Sequence, residues 1–501
     1  NNNFLVIINT NEHFLFRGKL ILIQINHLFI SAQKLVKILN EKNIDLKSNK
    51  ILIQIFTSVL DKTIIESNLK SILKELPNAH IIGSTTSGEI IDAQMSEDNF
   101  FLSISIFKNT SIKSIHKIEK DSYKLGEQVS KELFDKKPCK CIISFCDGIK
   151  HNGEEYLKAL NKKNIDEAVL AGGMAADMQR FTKTYTIHQD KVFQGGAVAV
   201  ALYGDDLDVY QDYNLGWRAV GPKFTITKSK GPRVYEINNK PIEKLYEEVL
   251  GLEVVKNIPN STIEFPLIKK EADTYIARSM ISKLDDSIVY AGNLHEGEEV
   301  QFGIGSSALA NRYDFSKNVN FNKNNIQASF IYSCTARKQF LGKSMETTFR
   351  KIAQLSPSSG FFTYGEFYRS KEPSFLNITT TILFLSERSD LDNMSSVKIS
   401  NTPHQKSLTE DATFNLIDYI SKELNKKQRK INHGEKLLNE YLSGIDNTLI
   451  ISKGDLNGDI TYANKKFSEV SGYSNEELIG KPHSILRDPD TPKEVYEDLW
   501  N

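Results

Sequence analysis

A chain of 501 residues has room for two to four domains, each able to bury its own core. Its 63 basic and 63 acidic residues cancel, so no net field draws it to nucleic acid or anionic lipid. No run of eighteen apolar residues occurs, and the four cysteines do not make a disulfide framework, which argues against a membrane segment in this region and for a reducing, cytoplasmic location.

The body of the chain repeats one pattern three times. The first copy reads as a strand at 51–56, a helix at 65–76, a segment Gly83-Ser84-Thr85-Thr86-Ser87-Gly88-Glu89 and a strand at 100–107. The second runs 141–145, 154–161, Gly172-Gly173-Met174-Ala175-Ala176-Asp177 and 195–203. The third runs 328–332, 345–355, Gly360-Phe361-Phe362-Thr363-Tyr364-Gly365-Glu366 and 378–386. From the first strand to the first glycine is 32 residues in the first and third copies (51 to 83, 328 to 360) and 31 in the second (141 to 172).

Each unit therefore predicts β-α-β-β, an α/β (α+β) fold with helices packed on sheets. The helical crossover makes the first two strands parallel, and the third follows by a longer hairpin. The glycine-led segment is expected to leave the end of the second strand, where open α/β sheets bind ligands. Small residues there let a backbone approach a ligand, and Glu89, Asp177 and Glu366 close the three segments. Gly83, Ser84, Thr85, Glu89, Gly173 and Asp177 are thus candidate ligand contacts, although a tight turn with a surface carboxylate explains the same residues.

Between the second and third units, 217–312 carries turns at Gly221-Pro222, Gly231-Pro232 and Lys240-Pro241, and reads as a second domain starting near Gly216 rather than an insertion. Cys139, Cys141 and Cys146 fit no zinc spacing and read as core residues of a strand. No P-loop, zinc-protease or kinase signature appears, so this region is expected to be non-enzymatic, with no metal. Ile417, Leu424, Ile431, Leu438 and Ile445 stand seven apart, the spacing of a supercoiled pair of helices, while Lys427 and Gly434 weaken the seam. This predicts a parallel homodimer through 412–445. After it come two strands around Asn457-Gly458, a hairpin signal, then short helices with a Ser474-x-x-Glu477 capping box.

Two resemblances follow. Tyr462-Ala463-Asn464-Lys465-Lys466-Phe467, Ser471-Gly472-Tyr473, Glu477-Leu478-Ile479-Gly480-Lys481 and Arg487-Asp488-Pro489-Asp490 resemble the first half of a PAS sensor domain. The chain thus reads as the input half of a longer signalling protein whose output domain lies downstream, a histidine kinase, a diguanylate cyclase or a chemotaxis transducer. The glycine-led segments, with Gln194-Gly195-Gly196-Ala197-Val198, Ser333-Cys334-Thr335-Ala336-Arg337 and Asn377-Ile378-Thr379, resemble the FIST (F-box and intracellular signal transduction) sensory family over roughly 15–387. The expected organisation is a FIST N-terminal-like domain at 15–215, a C-terminal-like domain at 216–390, a helical linker at 408–445 and a truncated PAS domain at 446–501.

The FIST resemblance implies a sensor of small molecules, such as amino acids or related metabolites. The favoured site joins Ser333, Cys334 and Arg337 to Tyr364, Gly365 and Glu366. Arg337 would hold a carboxylate, Glu366 or Asp177 an ammonium, and Tyr364 would cover the apolar part; an internal salt bridge from Arg337 to Glu366 or Glu346 is the plain alternative. Some family members bind haem and respond to nitric oxide. No haem-attachment motif appears, so haem would be non-covalent, and His188 is the ligand to test. The PAS segment resembles a redox-sensing type in which some members bind flavin, but Asp488 stands where histidine is common, and no cofactor is the favoured reading.

Overall fold

The computed structural model describes residues 22–134, 138–258, 263–305, 307–311, 326–387, 408–492 and 494–495. The expected domain limits at 15 and 390, and Arg312, lie outside them. Two compact units meet between Asn415 and Leu416. Among the described residues no helix is long and apolar enough to cross a membrane.

The first unit is built from three copies of one strand pattern. The first copy has β1 (Ile23–Leu28), β2 (Ile51–Thr57), β3 (His80–Thr85), the hairpin β4 and β5 (Glu89–Ile91, Gln94–Ser96), and β6 (Phe100–Ile106). The second has β7 (Ser111–Lys117), β8 (Cys139–Cys146), β9 (Val169–Met174), the hairpin β10 and β11 (Thr186–His188, Lys191–Phe193), and β12 (Ala197–Tyr203). The third opens with β13 (Leu207–Asn214). After eight strands from β14 (Trp217–Lys230) to β21 (Glu299–Gly305) it continues with β22 (Ala328–Cys334), β23 (Ser358–Thr363), β24 and β25 (Glu366–Arg369, Pro373–Leu376), and β26 (Thr380–Glu387).

As expected, β2 with β3, β8 with β9 and β22 with β23 are parallel pairs. The last strand of each copy pairs antiparallel with the first strand of its pair, not the second as a simple hairpin would require. The edge so freed on the second strand is taken by another copy's hairpin. The hairpin of the first copy pairs with β23, that of the second with β3, and that of the third with β9. Three six-stranded sheets of like order result, closed by a cyclic exchange.

The three leading glycines are explained by strand packing. A Cβ on Gly83, Gly172 or Gly360 would lie 2.5, 2.0 or 1.7 Å from the carbonyl oxygen of Ile55, Ser144 or Ile331, the residue paired with it in the neighbouring strand. They therefore sit within strands, pressed against protein backbone rather than against a ligand. One residue further along each first strand, Phe56, Phe145 and Tyr332 turn into a core shared by all three sheets, with ring centroids 5.8 Å (Phe56–Phe145) and 6.0 Å (Phe145–Tyr332) apart. Strands covered on both faces bury every residue, which is why β2 reads Ile-Leu-Ile-Gln-Ile-Phe-Thr without alternation. Cys139, Cys141 and Cys146 are buried on β8.

The strands β14 to β21 form a separate eight-stranded sheet with its own core around Phe224, Tyr246, Tyr290 and Phe302. They leave the third copy after β13 and return at β22, where the first two copies carry a helix (Ala32–Glu41, Ser122–Leu133). The stretch expected to open a second domain is thus a lobe inserted within the third copy.

The second unit carries most of a helix, Leu408–Thr448, then a hairpin of Ser452–Gly454 with Ile460–Ala463. The Asn457-Gly458 signal lies in that hairpin, but its loop spans 455–459, because the Asp455 carboxylate accepts from the N–H groups of Asn457 and Asp459 (both 2.9 Å). The Ser474–Glu477 capping box is present, and Ile460, Ala463, Phe467 and Leu478 form a small core.

Candidate functional site

The three acid-tipped turns do gather at one rim of the repeat body. Ala176 N–H donates to the Thr85 carbonyl (2.9 Å), Ser87 N–H to Phe362 (2.9 Å) and Tyr364 N–H to Met174 (3.3 Å), each turn leaning on the next copy. Their carboxylates, however, point into protein. Glu89 and Glu366 are fully buried; Glu89 Oε1 accepts from Thr86 Oγ1 (2.8 Å) and Glu366 Oε2 from Thr379 Oγ1. Among the described residues Glu89 Oε2 and Glu366 Oε1 have no partner. Burial pushes the Glu89 carboxyl up to about 7 and raises that of Glu366 well above the usual range.

Asp177 behaves differently. Its carboxylate accepts from the N–H groups of Phe181 (2.9 Å), Thr182 (2.7 Å) and Lys183 (3.0 Å), and from the Tyr364 hydroxyl. Burial opposes its charge, but these donors, Tyr364 first, outweigh burial and hold the carboxyl below its ordinary range. The loop so gathered is strained: Met178, Gln179 and Phe181 all have positive φ (57°, 61° and 51°). Such conformations each cost about 1–3 kcal/mol in residues with a Cβ and cluster at functional sites. Phe181 then lies parallel to Tyr364, centroids 4.7 Å apart.

This loop forms one wall of a cavity of about 670 Å³, within the range of small-molecule sites. A second wall is Gly148–Gly153, between β8 and the helix Gly153–Leu160. A third is the start of the helix Thr335–Leu341, with Cys334, Thr335, Ala336 and Gln339. The inserted lobe closes the space with Ser279–Ile281 and Val289–Gly292. Gln179 Nε2 donates to Gln339 Oε1 (3.3 Å), joining the first wall to the third.

The lobe is fastened beside the cavity by Arg278, whose guanidinium is buried. It donates to Glu154 Oε2 (2.9 Å), to the Phe375 carbonyl (2.8 Å) and to Asn377 Oδ1 (2.9 Å). Gly292 packs so closely on this group that a Cβ would lie 2.6 Å from its Cζ.

Of the residues singled out from sequence, Cys334 and Tyr364 line the cavity. Arg337 does not: it is buried and donates to the carbonyls of Leu215 (2.5 Å), Ile378 (3.3 Å) and Ala310 (3.3 Å), with Trp217 against its face. Its chain ties together backbone left open where the lobe departs, which removes it as a carboxylate receptor. Ser333 is buried against Thr380 Oγ1 (2.7 Å). Gly173 and Gly365 meet where β24 crosses β9, and Gly83, Ser84 and Thr85 are buried in β3. Burial pushes the Cys334 thiol up to about 12. His188 lies off the cavity, on β10, with Nε2 3.2 Å from Ser114 Oγ, and burial lowers its pKa.

Sequence reasoning missed Gly148–Gly153, Phe181 and Arg278. The first was legible in the repeat: it follows β8 as Thr335 follows β22, at the same place in the second copy. Arg278 carried no signal, because its partners come from elsewhere in the chain.

The repeat body, the wall-building loops and the helical connection to a PAS-like hairpin define a signal-transduction sensory module. The chain matches the FIST N domain over 51–240, the FIST C domain over 244–369 and the PAS fold over 446–501, and it belongs to the FIST family. FIST and PAS are sensory rather than catalytic domains.

The chain is similar to the aerotaxis receptor of Escherichia coli K12 (47% identical over 55 residues, 11% of each chain). It is also similar to the nitrogen fixation regulatory protein of Klebsiella pneumoniae (36% over 53 residues, 11% of each). An uncharacterised protein of Methanocaldococcus jannaschii is 24% identical over 212 residues, 40% of this chain and 41% of that one. The chain thus spans less than half the length of these relatives. A cyanuric acid hydrolase structure from A. caulinodans aligns over 74% of this chain and all of its own, at 8% identity and a TM-score of 0.30.

Proposed function

We propose that residues 22–387 sense a small molecule in the cavity between the inserted lobe and the second and third copies. An amino acid or related metabolite is the class the family resemblance implies, and the signal passes through the long helix to the PAS domain. The cavity carries the reading: about 670 Å³, walled by segments of three different origins, one of them strained. A ligand touching these walls and the lobe segments 279–281 and 289–292 would favour one arrangement of lobe and body over others. We place the protein in the cytoplasm and read this region as non-enzymatic. As an output for such an input module we propose a histidine kinase, a diguanylate cyclase or a chemotaxis transducer, the last in keeping with the receptor to which the chain is similar over 55 residues.

The relay helix is proposed to pair with a second copy. Leu424, Ile431, Leu438 and Ile445 are 49, 54, 57 and 38% exposed along it, a stripe at seven-residue spacing. In a parallel pair, Lys430 on one chain falls opposite Glu435 on the other, which favours that orientation.

A thermal-shift screen of a metabolite library tests the sensing reading, since a ligand of the folded state raises Tm. Ala336→Trp fills the cavity from its third wall. A hit that raises Tm in the wild type and not in this variant is expected; a hit indifferent to the substitution contradicts the site.

A further inference from the structure

The chemistry of the cavity wall narrows the ligand. Among the described lining residues there is no aspartate, glutamate or arginine. The acids that flank the wall are already engaged. Asp147 accepts from the N–H groups of Ile149 (2.9 Å), Lys150 (2.9 Å) and Gly195 (2.7 Å) and from Thr184 Oγ1 (2.8 Å). Asp177 is taken by its own loop and Tyr364, and Glu154 by Arg278 and the Asn293 N–H (3.0 Å).

The wall does carry one cation. Lys150 lines the cavity from an exposed position and has no salt-bridge partner among the described residues. His151 adds no charge: its Nε2 accepts from Gly196 N–H (3.0 Å), and burial lowers its pKa. The remaining lining is uncharged: Asn152, Gln179, Ser279, Thr335 and Gln339 are polar, and the aromatic part has the Phe181 and Tyr364 rings parallel within 13° with Phe375, Tyr290, Met174 and Met280 beside them. An ammonium group entering this space leaves water without meeting a carboxylate, which is costly; a carboxylate meets Lys150.

We infer that the ligand is a flat-ringed organic anion without an amine, an aromatic carboxylate whose ring lies against Phe181 and Tyr364 and whose charge meets Lys150. This rests on the cavity being the sensing site, and departs from an α-amino acid as its occupant.

Calorimetry on the 501-residue chain with phenylacetate, L-phenylalanine and phenethylamine separates the classes, because the three differ in charge on one ring. Phenylacetate is expected to bind at least about tenfold more tightly than phenylalanine, and phenethylamine not to bind. Lys150→Met should weaken phenylacetate by about tenfold at unchanged Tm, and Lys150→Arg should retain it. Phenylalanine binding as tightly as phenylacetate, an unaffected Lys150→Met, or no heat from phenylacetate overturns the inference. A library hit abolished by Ala336→Trp while phenylacetate stays silent removes the ligand class and leaves the cavity standing. A hit insensitive to Ala336→Trp removes both.

Discussion

Asp177 gathers a strained segment around one carboxylate, and Tyr364 links that segment to the third copy. Hydrogen bonds to a charged group are worth about 1.5–3 kcal/mol each, enough to offset the cost of three left-handed residues. Asp177→Ala is therefore expected to free 178–183, lower Tm and weaken any cavity ligand by about tenfold or more. Tyr364→Phe, which keeps the ring and loses one hydrogen bond to the carboxylate, should cost less than Asp177→Ala, about 1.5–3 kcal/mol. Because the Asp177 carboxyl lies below its ordinary range, its contribution is present above the unfolded value of 3.8 and is lost as pH falls through the lower folded value.

Glu89 runs the other way. Its carboxyl is raised from 4.5 to about 7, so the folded state keeps a proton the unfolded chain releases, and stability falls as pH rises through that interval. Thermal melts of Glu89→Gln against wild type should differ most at pH above about 7, in favour of the variant, and least below 4.5. A difference independent of pH would contradict it. The sequence marks Glu89, Asp177 and Glu366 as equivalent. It cannot mark which carboxylate is fully paired, because Glu89 and Glu366 open hairpins that pair with a strand of another copy, while Asp177 is held by its own loop.

At the level of elements, the parallel pairs and the threefold pattern were legible because the leading glycine recurs at fixed distance from the first strand. What that glycine does was not, since a residue without a side chain suits a ligand or a strand equally. Gly360→Ala, with its Cβ 1.7 Å from the Ile331 carbonyl oxygen, should force β22 and β23 apart and sharply reduce folded protein. Gly342→Ala, where nothing lies within 4 Å of the Cβ but φ is 51°, should cost only the backbone strain. The hairpin exchange was invisible for a simple reason: β4, β10 and β11 are three residues long, too short for a pattern to name a partner. In the PAS segment, local chemistry held for the capping box. The hairpin turn was lengthened by Asp455, whose side chain outcompeted a two-residue turn.

At the scale of the molecule, the inserted lobe decides where the cavity is, and Arg278 fastens the lobe. Arg278→Met removes the ion pair to Glu154, which is about a fifth exposed and keeps the Asn293 N–H, and the hydrogen bonds to Phe375 and Asn377; this should cost about 1.5–3 kcal/mol and loosen the lobe first. Limited proteolysis entering within 217–305 before the repeat body would report that order. Ile431→Asp, in the middle of the exposed stripe, should turn a dimer into a monomer in sedimentation; a wild-type monomer at micromolar concentration would end the pairing proposal.

Hydrogen–deuterium exchange on the full chain, with and without a ligand from the screen, tests the sensing site most directly. Added protection is expected in 148–153, 178–183, 334–339 and 279–292 together, because one ligand would touch the three walls and the lobe that closes them. Protection confined to 446–501, or to any one wall alone, would contradict a ligand seated between lobe and body.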